Sequence, residues 1–287
     1  MAYDSRLNKK IITNMLDLVI LIRGAGEMAS GVAHRLHRAG FKLVLTDIKT
    51  PMAVRRRVSF CEAVHEGIQT IEGVTACLVQ GPEEIEPAWR RLQIPVLIDP
   101  EMSVRSVVKP HVIVDALLAK RNTGLYRGMA LFTIGLGPGF CAPDAVHVAV
   151  ETNRGHTLGR LIYKGEPEAN TGIPVDIAGH SIKRVLRAPA DGIFAGLCRL
   201  GDSIEAGQAI ASVSGMKLHA EVSGVLRGLI RNGTLVFRHQ KVGDIDPRGR
   251  KEYICTISDK ARAIGGSVLE AIMAEFNYSI PSRNTNR

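Results

Sequence analysis

The stretch from Leu18 to Pro51, LVILIRGAGEMASGVAHRLHRAGFKLVLTDIKTP, constrains the fold more than any other part of the chain. An apolar run, Leu18 to Ile22, stops at a glycine turn, Gly24-Ala25-Gly26. Met28, Val32 and Leu36, with Ala29 and Ala33 beside them, then recur at helical spacing. Gly40 ends that helix, a second apolar run covers Leu43 to Leu45, and Asp47 stands at its tip. Strand, glycine turn, helix, strand and acid in this order predict a βαβ nucleotide-binding unit. Gly24 allows the tight turn, and Gly26 lets a pyrophosphate approach backbone N–H groups at the positive end of the helix. Ala29 takes the third small position of the fingerprint, which packs helix on strand. Asp47 lies 21 residues beyond Gly26, where a ribose-binding acid belongs. A similar α/β turn that binds nothing is the alternative.

A chain of 287 residues is long enough for two domains with their own cores. No apolar run approaches the length of a membrane span. Arg6, Lys9 and Lys10 precede an apolar stretch, but Asn14 and Asp17 interrupt it and no small-residue cleavage site follows. A signal peptide is therefore not expected, residues 1–14 read as an extension ahead of Met15, and the expected location is cytoplasmic. Five cysteines (Cys61, Cys77, Cys141, Cys198, Cys255) are scattered, with no CxxC, so neither a zinc module nor a disulfide framework is predicted. Cys141, beside a glycine loop, is the one to test for reactivity. Net charge is +9, and residues 1–60 hold eleven Lys/Arg against four Asp/Glu. The excess centres on Arg55-Arg56-Arg57. With one tryptophan and no nucleic-acid-binding motif, the patch points to a small anionic ligand rather than DNA or RNA. Simple solvation of two of these arginines is the alternative.

Further strands are predicted at Gly73–Val79, at VLID ending in Asp99, at His111–Val114 ending in Asp115, and at Ala130–Ile134. Gly81-Pro82 begins a helix running through Trp89 and Leu92, with Glu83, Glu84 and Glu86 in its first turns. Apolar strands ending in Asp and alternating with helices imply a parallel sheet with a crevice at the strands' carboxyl ends. Asp47, Asp99 and Asp115 would line it, unless they cap helices. A second glycine loop, Gly135-Leu136-Gly137-Pro138-Gly139-Phe140, would bring backbone amides to an anion or simply turn the chain. Asn153, Arg154, His156 and Arg160 then concentrate amide, guanidinium and imidazole groups around glycines, with Glu168 and Asn170 beyond. Such groups suit an oxygen-rich ligand, for example a phosphorylated pterin. His156 is the candidate general base or phosphate donor.

Composition shifts near Ile182 to short β runs separated by glycine turns. Ala188–Gln208 and Ala220–Val236 repeat one scheme, which looks like a biotinyl/lipoyl-type barrel-sandwich. Met216-Lys217 falls where carrier domains place a modified lysine. Only five residues separate Lys217 from Ser223-Gly224, however, and Gly215 replaces the usual alanine, so Lys217 is not read as a carrier site. Lys241–Arg248, with Asp244, Asp246 and Arg248, would contact a ligand or dock the two domains; two carboxylates alone do not make a metal site. Gly266-Ser267 is expected to cap a final helix with Val268, Leu269, Ile272, Met273 and Phe276 on its apolar face.

Six segments taken in order resemble one family: RGAGEMASGVAHRLHRAGF, AVRRRVSF, VDALLAKRNTG, GLGPGF, ETNRGHTLGRLIYKGEPEANTGIP and KVGDIDPR. It is the accessory-protein family of the selenium-dependent molybdenum hydroxylase system (the YqeB type). The resemblance spans about Leu18 to Phe276. It implies a cytosolic protein that helps to mature or insert the molybdenum cofactor of a hydroxylase, with that hydroxylase or its maturation proteins as partners. The expected fold is a Rossmann-like parallel-sheet α/β domain (residues 15–180), then a barrel-sandwich β domain (181–259), then a helix and polar tail (260–287). The expected ligand is NAD(P), another nucleotide or molybdopterin, held by Gly24, Gly26, Asp47, Arg55, Arg56, Gly135, Gly137, Gly139, Asn153, Arg154 and Arg160. An NAD(P)-dependent oxidoreductase and a non-catalytic scaffold for the hydroxylase are the competing readings. Whether a reaction is catalysed, and whether the chain forms a homo-oligomer, are left open by the residues.

Overall fold

The computed structural model describes residues 17–172, Pro174 and residues 176–277. Expectations for residues 1–14 and for the tail after Asn277 lie outside them. The first half builds one nine-stranded sheet: β1 (Val19–Arg23), β2 (Lys42–Asp47), β3 (Ile68–Ile71), β4 (Val74–Leu78), β5 (Ile94–Ile98), β6 (Val112–Asp115), β7 (Phe132–Leu136), β8 (Val148–Val150) and β9 (Leu161–Ile162). Their order is β3-β4-β5-β2-β1-β6-β7-β8-β9. The central strands β1, β6 and β7 are almost wholly apolar and buried on both faces, as strands covered on both sides must be.

Two expectations are corrected here. The sheet is mixed and not the all-parallel Rossmann-like sheet: the edge strands β3 and β9 run antiparallel to β4 and β8. Nor do long helices cross between successive strands. After α1 (Glu27–Arg38), the connections hold only the short α2 (Ala63–Glu66), α3 (Ile85–Arg90) and α4 (Arg105–Val108), while the β6–β7 and β7–β8 connections contain no α-helix. In the β7–β8 connection Gly137, Pro138, Gly139 and Pro143 preclude one. The second long helix, α5 (Asp259–Phe276), comes from the far end of the chain and packs beside α1.

The second half forms β10 (Val185–Arg187), β11 (Gly192–Gly196), β12 (Ser203–Ile204), β13 (Ala209–Val213), β14 (Met216–His219), β15 (Gly224–Leu229), β16 (Leu235–Val236) and β17 (Lys241–Asp246). In place of the expected biotinyl/lipoyl-like barrel-sandwich, these make two four-stranded antiparallel sheets, β10-β17-β15-β12 and β14-β13-β11-β16. The two sequence halves do not each close a unit: β12 of the first pairs with β15 of the second, and β16 of the second with β11 of the first. Phe194, Leu226, Val236 and Ile245 fill the space between the sheets. Lys217 is exposed on β14 and pairs in register with Ser212, an ordinary strand position.

α5 begins eight residues earlier than expected. Ser258 caps it by accepting a hydrogen bond from Ala261 N at 3.3 Å. Gly265 and Gly266 therefore lie in mid-helix, where Gly265 meets Gly31 of α1. Val268, Ile272 and Phe276 are buried as expected, whereas Met273 is exposed.

Candidate functional site

A cleft of about 630 Å³ opens where the two halves of the chain meet. Its first wall comes from the loops after β6, β7 and β8: Leu118 and Lys120, then Pro138, then Asn153 and Arg154. This is the carboxyl end of the parallel strands, where ligands of open α/β sheets bind. The second wall is β10 and β17, with Arg184, Arg187 and Lys241, and Lys260 enters from the first turn of α5. Glu168 is the one acidic residue lining a cleft with six cationic ones.

Three of those cations already have protein partners. Arg154 donates both terminal nitrogens to Asp259, at 2.5 and 2.7 Å. The buried Arg184 donates to Asp244 at 2.7 Å, and Arg187 to the His239 carbonyl at 2.9 Å. Lys241 and Lys260 differ: burial and neighbouring charges act on them, but no acceptor among the described residues takes a hydrogen bond from either ammonium. Lys241 is open to the cleft yet walled by protein, and desolvation holds its pKa below the ordinary lysine value against the pull of Asp244 and Glu27. Lys260 is lowered first by burial and then by the charge of Arg154, with Lys241 adding a smaller push. Two ammonium groups in one cleft, neither of them hydrogen-bonded to a described protein acceptor, form a receptor for an anion.

The structure separates the sequence-derived site residues into groups. Asn153 and Arg154 line the cleft. His156 and Arg160 do not; they border a shallow hollow on the outer side of the same loop. Gly24, Gly26 and Asp47 also lie outside the cleft lining. Gly24 adopts φ +95°, as its turn requires, while Asp47 accepts backbone N–H bonds from Ala25 and Ile48, both at 2.8 Å. The Asp47 carboxylate thus pins the glycine turn, and burial pushes its pKa up. Asp115 is buried against Arg23 at 3.2 Å, and Asp99 accepts from Val104 N at 2.8 Å.

The glycine loop after β7 is shaped by packing. An added Cβ at Gly135 would strike Phe140, one at Gly137 would stand 2.6 Å from Thr152 Oγ1, and one at Gly139 would stand 2.5 Å from Arg121 Cα. No side chain fits at these three glycines, and only Pro138 of this loop lines the cleft.

Arg55 and Arg56 both have protein acceptors. Arg55 is 5% exposed and donates to Glu27 at 3.0 Å and to the Tyr253 and Thr256 carbonyls at 2.8 and 3.1 Å. Arg56 donates to the Leu229 carbonyl at 2.7 Å, so both join the halves of the chain. Asp244 and Asp246 also turn inward. Asp244 is shared by Arg184 and Arg227, and Asp246 by Arg227 and Arg248. Burial alone would push both carboxyls up; instead Lys241 and Arg227 hold Asp244 below the ordinary range, and hydrogen bonds from Arg248 do so for Asp246. The Cys141 thiol is pushed up by desolvation and by Asp144 and Glu166, opposite to what a reactive thiolate requires. Among the described residues, no group of three or more His, Cys, Asp or Glu side chains is placed to hold a metal, and no helix is long and apolar enough to cross a membrane.

Lys241, Lys260, Lys120, Arg184 and Arg187 were not singled out from the sequence. One signal was present: a lysine in the first turn of a helix opposes the dipole, which makes Lys260 an unusual choice. It was hidden because the helix start was placed at Gly266.

No family model matches the chain. Among solved structures, the product-bound ectoine utilization protein EutE (DoeB) of Ruegeria pomeroyi overlaps 80% of this chain and 85% of its own, at 11% identity and a TM-score of 0.26. An aspartoacylase family protein of Mesorhizobium loti overlaps 80% and 84%, at 10% identity and a TM-score of 0.24. Superposition this loose transfers neither fold nor activity. In sequence, the chain is 47% identical over 255 residues to the uncharacterized protein YqeB of Escherichia coli (strain K12). The match takes in 89% of this chain and 47% of that protein. The chain is a sequence relative of YqeB that spans about half of its length.

Proposed function

We propose that the chain binds a phosphorylated pterin or a nucleotide in the cleft between its halves, and serves as an accessory protein in maturing or inserting the molybdenum cofactor of a molybdenum hydroxylase, including a selenium-dependent one. One observation carries the binding: Lys241 and Lys260 reach the same cleft with no acceptor among the described residues. Molybdopterin fits as cargo, because Lys241, Lys260 and Arg187 would hold its phosphate. The accessory role rests on the six-segment resemblance. An NAD(P)-dependent oxidoreductase is the weaker reading, since both oxygens of Asp47 are engaged by backbone N–H groups.

Native mass spectrometry of the purified protein, followed by thermal shift at low salt with inorganic pyrophosphate, GMP and NADH, tests the reading. A ligand at about 100 times its Kd adds about 2.7 kcal/mol, readable as a rise of several degrees. The expected result is a shift with the phosphorylated compounds that is lost in a Lys241→Ala/Lys260→Ala double variant. No retained ligand and no shift at millimolar concentrations would leave the scaffold reading standing instead.

A further inference from the structure

A second cleft, of about 510 Å³, adjoins the first, and Arg154 lines both. Its chemistry is different. Every arginine in its lining is neutralised by a carboxylate: Arg55 by Glu27, Arg154 by Asp259, Arg227 by Asp244 and Asp246, and Arg248 by Asp246. Little net positive charge is left there to attract a phosphate. What the cleft presents is a flat polar platform. Arg248 donates Nε and Nη2 to the two oxygens of Asp246, at 2.9 and 2.7 Å, which fixes the plane of its guanidinium. That guanidinium lies on the Tyr253 ring, 4.5 Å from its centroid, and 41% of the Arg248 side chain remains exposed.

We infer that the two clefts form one bipartite site for a ligand that joins a pyrophosphate to a planar heterocycle. This deepens the proposed function and rests on it. The pyrophosphate occupies the lysine-bearing cleft, and the chain passes Arg154. The uncharged bicyclic ring stacks on the Arg248–Tyr253 platform, since a guanidinium plane stacks on base-like rings as aromatic side chains do. Cavities of this size suit the two parts: each falls within the usual range for small-molecule sites. A nucleoside diphosphate and a pterin carrying a pyrophosphate share this chemistry.

Isothermal titration calorimetry of the full chain with inorganic pyrophosphate and with GDP provides the test. GDP is expected to bind about tenfold more tightly than pyrophosphate, the scale of one stacked ring. Arg248→Lys keeps the charge but loses the plane, so it should erase that tenfold difference and leave pyrophosphate binding unchanged. Lys241→Ala should weaken both ligands together. If GDP binds no more tightly than pyrophosphate, or if Arg248→Lys preserves the difference, the bipartite site is refuted while the anion site stands. If neither compound binds, the inference falls together with the reading beneath it.

Discussion

Gly265 and Gly266 stand side by side in α5, yet the structure assigns alanine opposite effects at the two positions. A Cβ at Gly265 would stand 2.8 Å from the Gly31 carbonyl oxygen and 3.3 Å from Arg35 Cβ. The nearest obstacle is backbone, which cannot rotate away. At Gly266 nothing lies within 4 Å of the added carbon. Replacing a mid-helix glycine by alanine gains about 1 kcal/mol from propensity. Overpacking a tight contact costs about 1–3 kcal/mol. Gly266→Ala should therefore stabilise the protein by up to about 1 kcal/mol, and Gly265→Ala should cost a net amount of up to about 2 kcal/mol. Because the propensity gain is common to both, the difference between the variants isolates the packing of α1 on α5. Urea unfolding measures it as a shift in midpoint at constant slope. Gly31→Ala supplies a check from the other helix, where the new carbon would be 2.7 Å from Ala261 Cβ. If Gly265→Ala and Gly266→Ala were equally stable, the close approach of the two helices would be refuted. With it would go the placement of Lys260 in the cleft, since α5 carries that residue.

Two further predictions concern the turns and the loop around the cleft. Gly26, at φ −70° and ψ −174°, has nothing within 4 Å of an added Cβ and provides no side-chain cap for α1; Gly26→Ser should therefore change stability by no more than a few tenths of a kcal/mol. Gly139→Ala, at φ +97° and against the Arg121 backbone, should cost about 2–4 kcal/mol, and equal effects of the two in chemical denaturation would contradict the packing account of the second loop. Hydrogen bonds from Arg154 lower the Asp259 carboxyl from 3.8 to about 2. Its folded value lies below its unfolded one, so its contribution to stability is complete above pH 3.8 and is lost as pH falls toward 2. In Arg154→Ala the Asp259 titration, followed by NMR, should move back toward 3.8, and a variant still titrating near 2 would show that Arg154 is not the cause.

Local patterns were legible where one face or one turn decided the outcome. The buried run of β1, the positive φ of Gly24 and the Val268–Ile272–Phe276 stripe all follow from residue type and spacing alone. What failed depended on distant partners. GLGPGF reads equally well as an anion cradle or as a packing loop, and the close packing of its glycines against Phe140, Thr152 and Arg121 depends on residues that its own sequence does not specify. Arg55 looks like a free cation until Tyr253 and Thr256, some 200 residues away, supply its acceptors. The Rossmann-like expectation extrapolated from one good βαβ stretch to a whole sheet, but nothing in that stretch specifies antiparallel edges at β3 and β9.

The same dependence gives the opening stretch its connection to the cleft, through a residue the fingerprint ignores. Glu27 occupies the first turn of α1, where the helix dipole favours an acid. Its Oε1 accepts from Arg55 at 3.0 Å and from Ser258, the cap of α5, at 2.9 Å. Its charge also favours the protonated forms of both Lys241 and Lys260. Holding two ammonium groups near each other opposes folding, and a carboxylate that binds neither offsets part of that cost while leaving both able to meet an anion. Had Glu27 paired directly with either lysine, the cleft would resemble its neighbour, where every arginine is already neutralised. The glycines of GAGE shape the turn, and the glutamate, with Asp244 and Glu151, favours the charged lysines of the cleft.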